Sequence, residues 1–200
     1  IIENLEGFPE SIKFLSTNKE WAKNVPLLSD TIYCKEEYRI VLENFLEPYL
    51  NYYVVDNLSE ALKAVEMLRI AQKGKANFFV LEAITPLIQS GPMRIAGLIS
   101  ALDVLRFDSA YANLFNRLFQ HVFIDPNPLD KARFKEYDEN NITILSANGS
   151  YVKRQFALSG GSVGLFEGKK LGRRKNLEIL EEEIKQLEEE HIIAVRETNK

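Results

Sequence analysis

Cysteine and histidine are nearly missing from these 200 residues: Cys34 is the one cysteine, and His121 and His191 are the two histidines. A lone thiol cannot close an intrachain disulfide, and no Cys/His pair has metal-ligand spacing, so neither a disulfide scaffold nor a zinc staple is expected. No charged-then-apolar leader and no run of 18 apolar residues occurs, which points to a reducing, cytoplasmic setting without a membrane partner. Charge of one sign is not in excess either. Twenty-five Lys and Arg against 29 Asp and Glu leave a formal charge of −4, which excludes a uniformly basic nucleic-acid binder. What is present, 46% hydrophobic and 27% charged residues, fits one sizeable domain or two small lobes whose core needs no staple.

The two halves echo each other. Asp30, Ile32 and Tyr38 recur as Asp103, Leu105 and Tyr111, each displaced by 73 positions, and Leu42, Phe45 and Leu46 recur as Phe115, Leu118 and Phe119. Two strand-like runs continue the echo: Tyr52 to Asp56 against Val122 to Asp125, then Asn77 to Leu81 against Ile142 to Leu145. The reading is α+β, with two related α/β lobes from an internal duplication.

Local signals fill in the order. Residues 1–6 read as a helix end closed by Gly7, and residues 7–26 as a loop. Tyr38, Val41, Leu42, Phe45 and Leu46 have helical spacing, and Pro48 ends that helix. Ser59 to Gln72 reads as a second helix with Ser59 as N-cap, followed past Gly74 by a buried strand at 77–81. Pro86 to Gly97, rich in Pro and Gly, marks the seam between the halves. The expected boundaries are 1–6 for an incoming helix, 7–90 for lobe 1, 91–172 for lobe 2 and 173–200 for an outgoing helix.

That last segment carries a heptad. Leu177, Leu180, Ile184 and Leu187 are spaced 3, 4 and 3, the a/d seam of a coiled coil, continued weakly by His191 and Ala194. Two heptads do not stand alone in water, so the seam needs a facing helix, and the local candidate holds Ile1, Ile2 and Leu5. An antiparallel coiled-coil stub follows.

Catalytic constellations are thin. A phosphate loop would need glycine at 163 and a hydroxyl at 170 around Gly168-Lys169, but these are Val163 and Lys170. Gly161-Ser162-Val163-Gly164 lacks the dinucleotide spacing. Both histidines read as structural, and Asp56 and Asp125, at equivalent strand ends, read as turn or cap residues. No catalytic residue, metal or cofactor is expected. Positive charge is local: Lys169, Lys170, Arg173, Arg174 and Lys175 cluster where the body meets the helix, with Lys153 and Arg154 nearby in sequence. Such a cluster can neutralise phosphates and bind DNA without sequence preference. The opposing reading is a solvated helix start, although cations in a first turn oppose the helix dipole. Seven glutamates between positions 178 and 190 make the stub acidic.

Together these segments resemble the hinge domain of SMC (structural maintenance of chromosomes) proteins, with the bacterial chromosome-partition type expected. Gly74-Lys75-Ala76-Asn77-Phe78-Phe79 resembles the family's Gly-Arg-Ala-Thr-Phe segment, and Gly91 and Gly97 before Ala101-Leu102-Asp103 resemble its glycine-rich bridge. Thr143 to Val152 and Leu158-Ser159-Gly160-Gly161-Ser162 resemble the strand, turn and Gly-Gly stretch before the exit helix. Lys75 departs from the usual arginine, and Phe156 stands where many relatives have glycine. The resemblance implies a homodimerisation module for chromosome condensation and segregation, lobe 1 of one chain meeting lobe 2 of the other. It implies an interface at Gly91, Gly97, Gly160, Gly161 and Gly164, the alternative being a plain loop. It also implies a nucleoid-associated parent protein with ATP-binding heads and kleisin-type subunits. Two further alternatives stay open: a duplicated metabolite-binding or enzymatic domain, and a hinge that pairs with a different chain.

Overall fold

The structure is a computed structural model that describes residues 8–18, 21, 25–86, 93–127, 134–162, 171 and 184–189. Each lobe contains a helical turn followed by strand, helix, strand, helix, strand. In lobe 1 these are the turn Leu28–Asp30, β1 (Ile32–Cys34), α2 (Glu36–Leu46), β2 (Tyr53–Val55), α3 (Leu58–Ala71) and β3 (Phe78–Val80), preceded by α1 (Glu10–Thr17). Lobe 2 has β4 (Ile99–Ser100), α4 (Ala101–Val104), β5 (Leu105–Phe107), α5 (Ala112–Phe119), β6 (Val122–Asp125), α6 (Phe134–Glu139) and β7 (Thr143–Ser146), then adds the hairpin β8 (Tyr151–Arg154) and β9 (Ala157–Gly160).

The displacement of 73 falls on real elements. It carries Ile32 and Cys34, the ends of β1, onto Leu105 and Phe107, the ends of β5. The two strands pair antiparallel as Ile32↔Phe107, Tyr33↔Arg106 and Cys34↔Leu105. Exchanging the lobes returns the same three pairs, so a pseudo-twofold axis passes between Tyr33 and Arg106. Elsewhere the copies match in hand as well as order: β2 lies parallel to β3, and β6 parallel to β7. The antiparallel bridge of Leu27 to Tyr53 has its counterpart in the pair Ser100↔Phe123.

One core serves both lobes. Leu28, Ile32, Leu42 and Leu46 from lobe 1 pack with Leu105, Phe115, Phe119 and Ile124 from lobe 2, all at most 2% exposed. Each such side chain contributes about 1.5–3 kcal/mol on burial, so the lobes are fused through this layer rather than tethered. A second cluster holds α1 and α3 on the lobe 1 sheet, with Trp21 edge-on to Tyr53 at 4.9 Å. A third packs Tyr137 of α6 on Phe123 and Ile144.

Three sequence expectations change. Residues 10–17, read within a loop, form α1, whose Ile12 and Leu15 are buried. The cap of α3 is Asn57, not Ser59: its side chain accepts the Glu60 N–H at 3.0 Å. The strand expected to be buried at 77–81 is shorter and half-buried throughout, because it lies at the edge of its sheet.

Candidate functional site

Among the open sheet edges of the described residues, two lie at the ends of matching parallel units in different lobes, β3 in lobe 1 and β9 in lobe 2; β4 forms the other edge of the five-stranded sheet. The backbone groups of β3 and β9 follow from the ladders. In β8–β9 the Gly161 N–H donates to the Ser150 carbonyl at 2.9 Å, so alternation bonds the pairs 152/159 and 154/157 inward and turns the N–H and C=O of Leu158 and Gly160 outward. In β2–β3 the Tyr53 N–H donates to the Asn77 carbonyl at 3.0 Å, which leaves Phe78 and Val80 facing out. All four residues of β9 are exposed.

The pseudo-symmetry says what β3 lacks. Its counterpart β7 carries an antiparallel neighbour, β8, on the equivalent edge, and the described part of lobe 1 holds no such strand. Unpaired strand edges are templates for another chain, and here the two edges sit on different lobes.

The glycines expected at an interface separate into different roles. Gly160 lies on the β9 edge, but its missing Cβ is required within the chain: a Cβ there would stand 2.4 Å from the Ser150 carbonyl oxygen and 2.9 Å from Tyr151 Cβ. Gly161 follows it, with open space where a Cβ would point. Gly97 takes a left-handed turn (φ 80°) just before β4, at the opposite edge of the five-stranded sheet from β9, so the fold does not bring it to Gly160. Gly91 and Gly164 lie outside the described residues.

Of the basic residues, Lys153 is withdrawn from the candidate patch. It is 9% exposed; its ammonium pairs with the Asp138 carboxylate, donates to the carbonyls of Arg154 (2.6 Å) and Gln155 (3.2 Å), and sits 5.5 Å over the Phe134 ring. Its place on β8 points it under α6, where no phosphate reaches. Arg154 is half-buried, its guanidinium 5.6 Å over Phe45 and 3.3 Å from Ser159 Oγ. Lys169, Lys170, Arg173, Arg174 and Lys175 lie outside the described residues, as do Leu177, Leu180 and positions 1–5. Ile184 and Leu187, in the helical stretch 184–189, are 54% and 64% exposed.

Asp125 closes a turn, accepting the Asn127 N–H at 2.9 Å, and the His121 carbonyl accepts the Thr143 N–H at 2.8 Å. A cavity of about 240 Å³ between α2 and the end of β9 offers one carboxylate, Glu47, and one phenol, Tyr151. Burial, then Asp125 and Tyr137, push that phenol's pKa upward, away from any acid or base work near neutrality. Among the described residues no three His, Cys, Asp or Glu side chains gather to hold a metal, and no helix is long and apolar enough to cross a membrane.

Sequence reading missed the outward groups of β3 and an apolar stripe on α3, where Leu58, Leu62 and Val65 are 54%, 57% and 47% exposed. The signal was there. In α3 apolar residues occupy a flank as well as the buried face of Ala61, Ala64 and Leu68, a wider apolar arc than one packed face needs.

The SMC proteins Flexible Hinge Domain matches residues 22–133. The chain belongs to the SMC hinge family. It is 28% identical over 184 residues, 92% of its length, to the chromosome partition protein Smc of Chlorobaculum tepidum, and 23% identical over 201 residues, 97% of its length, to that of Bacillus subtilis. It spans only about a sixth of these relatives, 16% and 17%. Among solved structures, the Geobacillus stearothermophilus SMC hinge domain, described as an asymmetric dimer, superposes with a TM-score of 0.75 at 20% identity, covering 92% of this chain and 76% of that one. The Pyrococcus furiosus SMC hinge domain gives 0.60 at 19% identity over 78% of this chain and 84% of that one.

Proposed function

We propose that the chain is the dimerisation hinge of a chromosome-partition SMC protein, in which two copies meet head to head and β3 of each is extended by β9 of the other. The observation that carries this is the pair of open edges on different lobes of one rigid core. The β3 edge of one chain against the β9 edge of the other, and the reverse, closes under a twofold axis and pairs all four of those edges. The β9 edge suits such a seam, because all four of its residues are exposed and the backbone N–H and C=O of Leu158 and Gly160 face outward at strand-pairing geometry. The work is mechanical: it joins two coiled-coil arms, and the chemistry of the parent, ATP turnover in head domains with kleisin-type subunits at the nucleoid, belongs elsewhere in that protein.

Sedimentation velocity on the isolated chain tests this. A species of twice the 23.0 kDa chain mass is expected at micromolar protein. One-chain mass at every concentration refutes it, and dimers that appear only on mixing with a different hinge chain establish the heterodimeric form. On the same reading the cluster Lys169, Lys170, Arg173, Arg174 and Lys175, with Arg154, is a weak phosphate-binding patch for DNA at the root of the arms. The acidic residues Glu181 to Glu183 oppose it, screened beyond about 8–10 Å.

A further inference from the structure

Phe156, at the tip of the β8–β9 hairpin, is 92% exposed, and Leu158 beside it is 59% exposed. A bare phenylalanine at a hairpin tip loses apolar contact and gains nothing within its own described chain. We propose that Phe156 and Leu158 of one chain seat against Leu58, Leu62 and Val65 on α3 of a second copy, an apolar clasp beside the paired strands. The inference rests on the edge pairing of β3 with β9 and adds to it a register and a side-chain contact.

The register follows from which backbone groups face out. On β9 these belong to Leu158 and Gly160, and on β3 to Phe78 and Val80. An antiparallel pair satisfies all of them at once only if Phe78 opposes Gly160 and Val80 opposes Leu158. The aromatic then covers the glycine, a pairing that sheets use to compensate an absent side chain. At that end of the seam the turn holding Glu82, just past β3, and the hairpin turn holding Phe156, just before β9, come to the same place. Glu82 is fixed at the mouth of α3, its Oε1 accepting the Leu58 N–H at 2.7 Å, so Phe156 arrives beside Leu58.

The face is determined as well. Directly paired residues project to the same side of a sheet. Phe78 and Val80 pack with Ala61, Ala64 and Leu68 of α3, so Leu158 of the second chain emerges on the α3 side, with Phe156 in the hairpin turn next to it. There Leu58, Leu62 and Val65, spaced i, i+4 and i+7, form a single stripe along the flank of the helix. Ile70, although 69% exposed, lies off that stripe and a turn beyond it.

Two experiments on the whole chain decide the matter. Phe156→Ser and Leu62→Ser each remove exposed apolar surface and are expected to leave the thermal transition in place while raising the dimer dissociation constant about tenfold or more. Combined, they should cost less than the product of the two effects, since both break one contact. Separately prepared Leu58→Cys and Phe156→Cys chains, mixed under mild oxidation, should form a covalent dimer, with Ile70→Cys replacing Leu58→Cys as the silent control. Cys34 is 2% exposed and does not compete. A parent that dimerises while both serine variants dimerise equally well and no crosslink forms overturns the clasp and leaves the hinge standing. A parent that stays monomeric overturns the hinge pairing itself, and the clasp with it.

Discussion

Replacing Gly160 by alanine should damage the lobe before it damages the dimer. An ideal Cβ at this position stands 2.4 Å from the Ser150 carbonyl oxygen, 2.9 Å from Tyr151 Cβ and 3.0 Å from Tyr151 Cα. Cross-strand Cβ atoms normally sit about 4.5–5.5 Å apart, so β8 and β9 approach here more closely than two residues with side chains allow. Relief must come from backbone and Cβ atoms, not from the end of a flexible side chain. Overpacking of this kind costs about 1–3 kcal/mol, which for a chain of this length lowers the melting temperature by about 2–12 °C. The assay is thermal unfolding by circular dichroism across a hundredfold dilution. A loss seated within one chain persists when the protein is dilute, whereas a loss seated in the interface vanishes there. An alanine variant that melts with the parent in dilute solution and merely associates less would show that Gly160 is a spacer between chains, and the intrachain argument would be wrong.

Three other outcomes can be measured, on DNA, on Lys153 and on Cys34. DNA affinity should fall with salt by about 0.9 log units per log unit for each duplex phosphate neutralised, or about 0.7 on single strands. Arg173→Glu with Arg174→Glu should abolish it in a gel-shift titration. Lys153→Met should leave binding unchanged and instead lower the unfolding free energy measured in urea, by about 1–3 kcal/mol, because Asp138 and two carbonyls lose their donor; DNA loss without destabilisation would put that ammonium back at the surface. Burial pushes the Cys34 thiol from its ordinary 9 up to about 11, with Arg39 opposing and Glu43 reinforcing the shift. Folding therefore holds the thiol neutral, a contribution intact below pH 9 and lost as pH rises through about 11. Denaturant midpoints of the parent should drop over that interval, and those of Cys34→Ala should drop less; parallel curves would contradict the assignment.

The duplication was readable because it is carried by local pattern. A strand of alternating residues or a helix such as Tyr38, Val41, Leu42, Phe45 and Leu46 keeps its periodicity wherever it packs, so the displacement of 73 found β1 with β5 and α2 with the region of α5 before any contact was known. The Gly74 turn (φ 81°) and the end of α2 near Pro48 were local in the same sense. What failed was whatever depends on distant partners. The eight residues of α1 carry too little apolar pattern to announce a helix, and they form one because Ile12 and Leu15 find α3 and the Tyr53 hydroxyl finds the Ile12 carbonyl at 3.1 Å, 41 residues away. Lys153 looked like part of a basic cluster because charge is visible in a sequence and direction is not; α6 packing over β8 turned it inward. Gly160 was legible as a glycine, but its reason, a carbonyl 2.4 Å from where its side chain would begin, exists only once β8 and β9 are closed. Sequence by itself determined the repeat, the helices α2 and α3 and the family resemblance, since each is written in short-range periodicity and motif. Tertiary structure decided that the edges of β3 and β9 stay open and that Lys153 is turned inward, since both depend on which strands and side chains distant segments bring together.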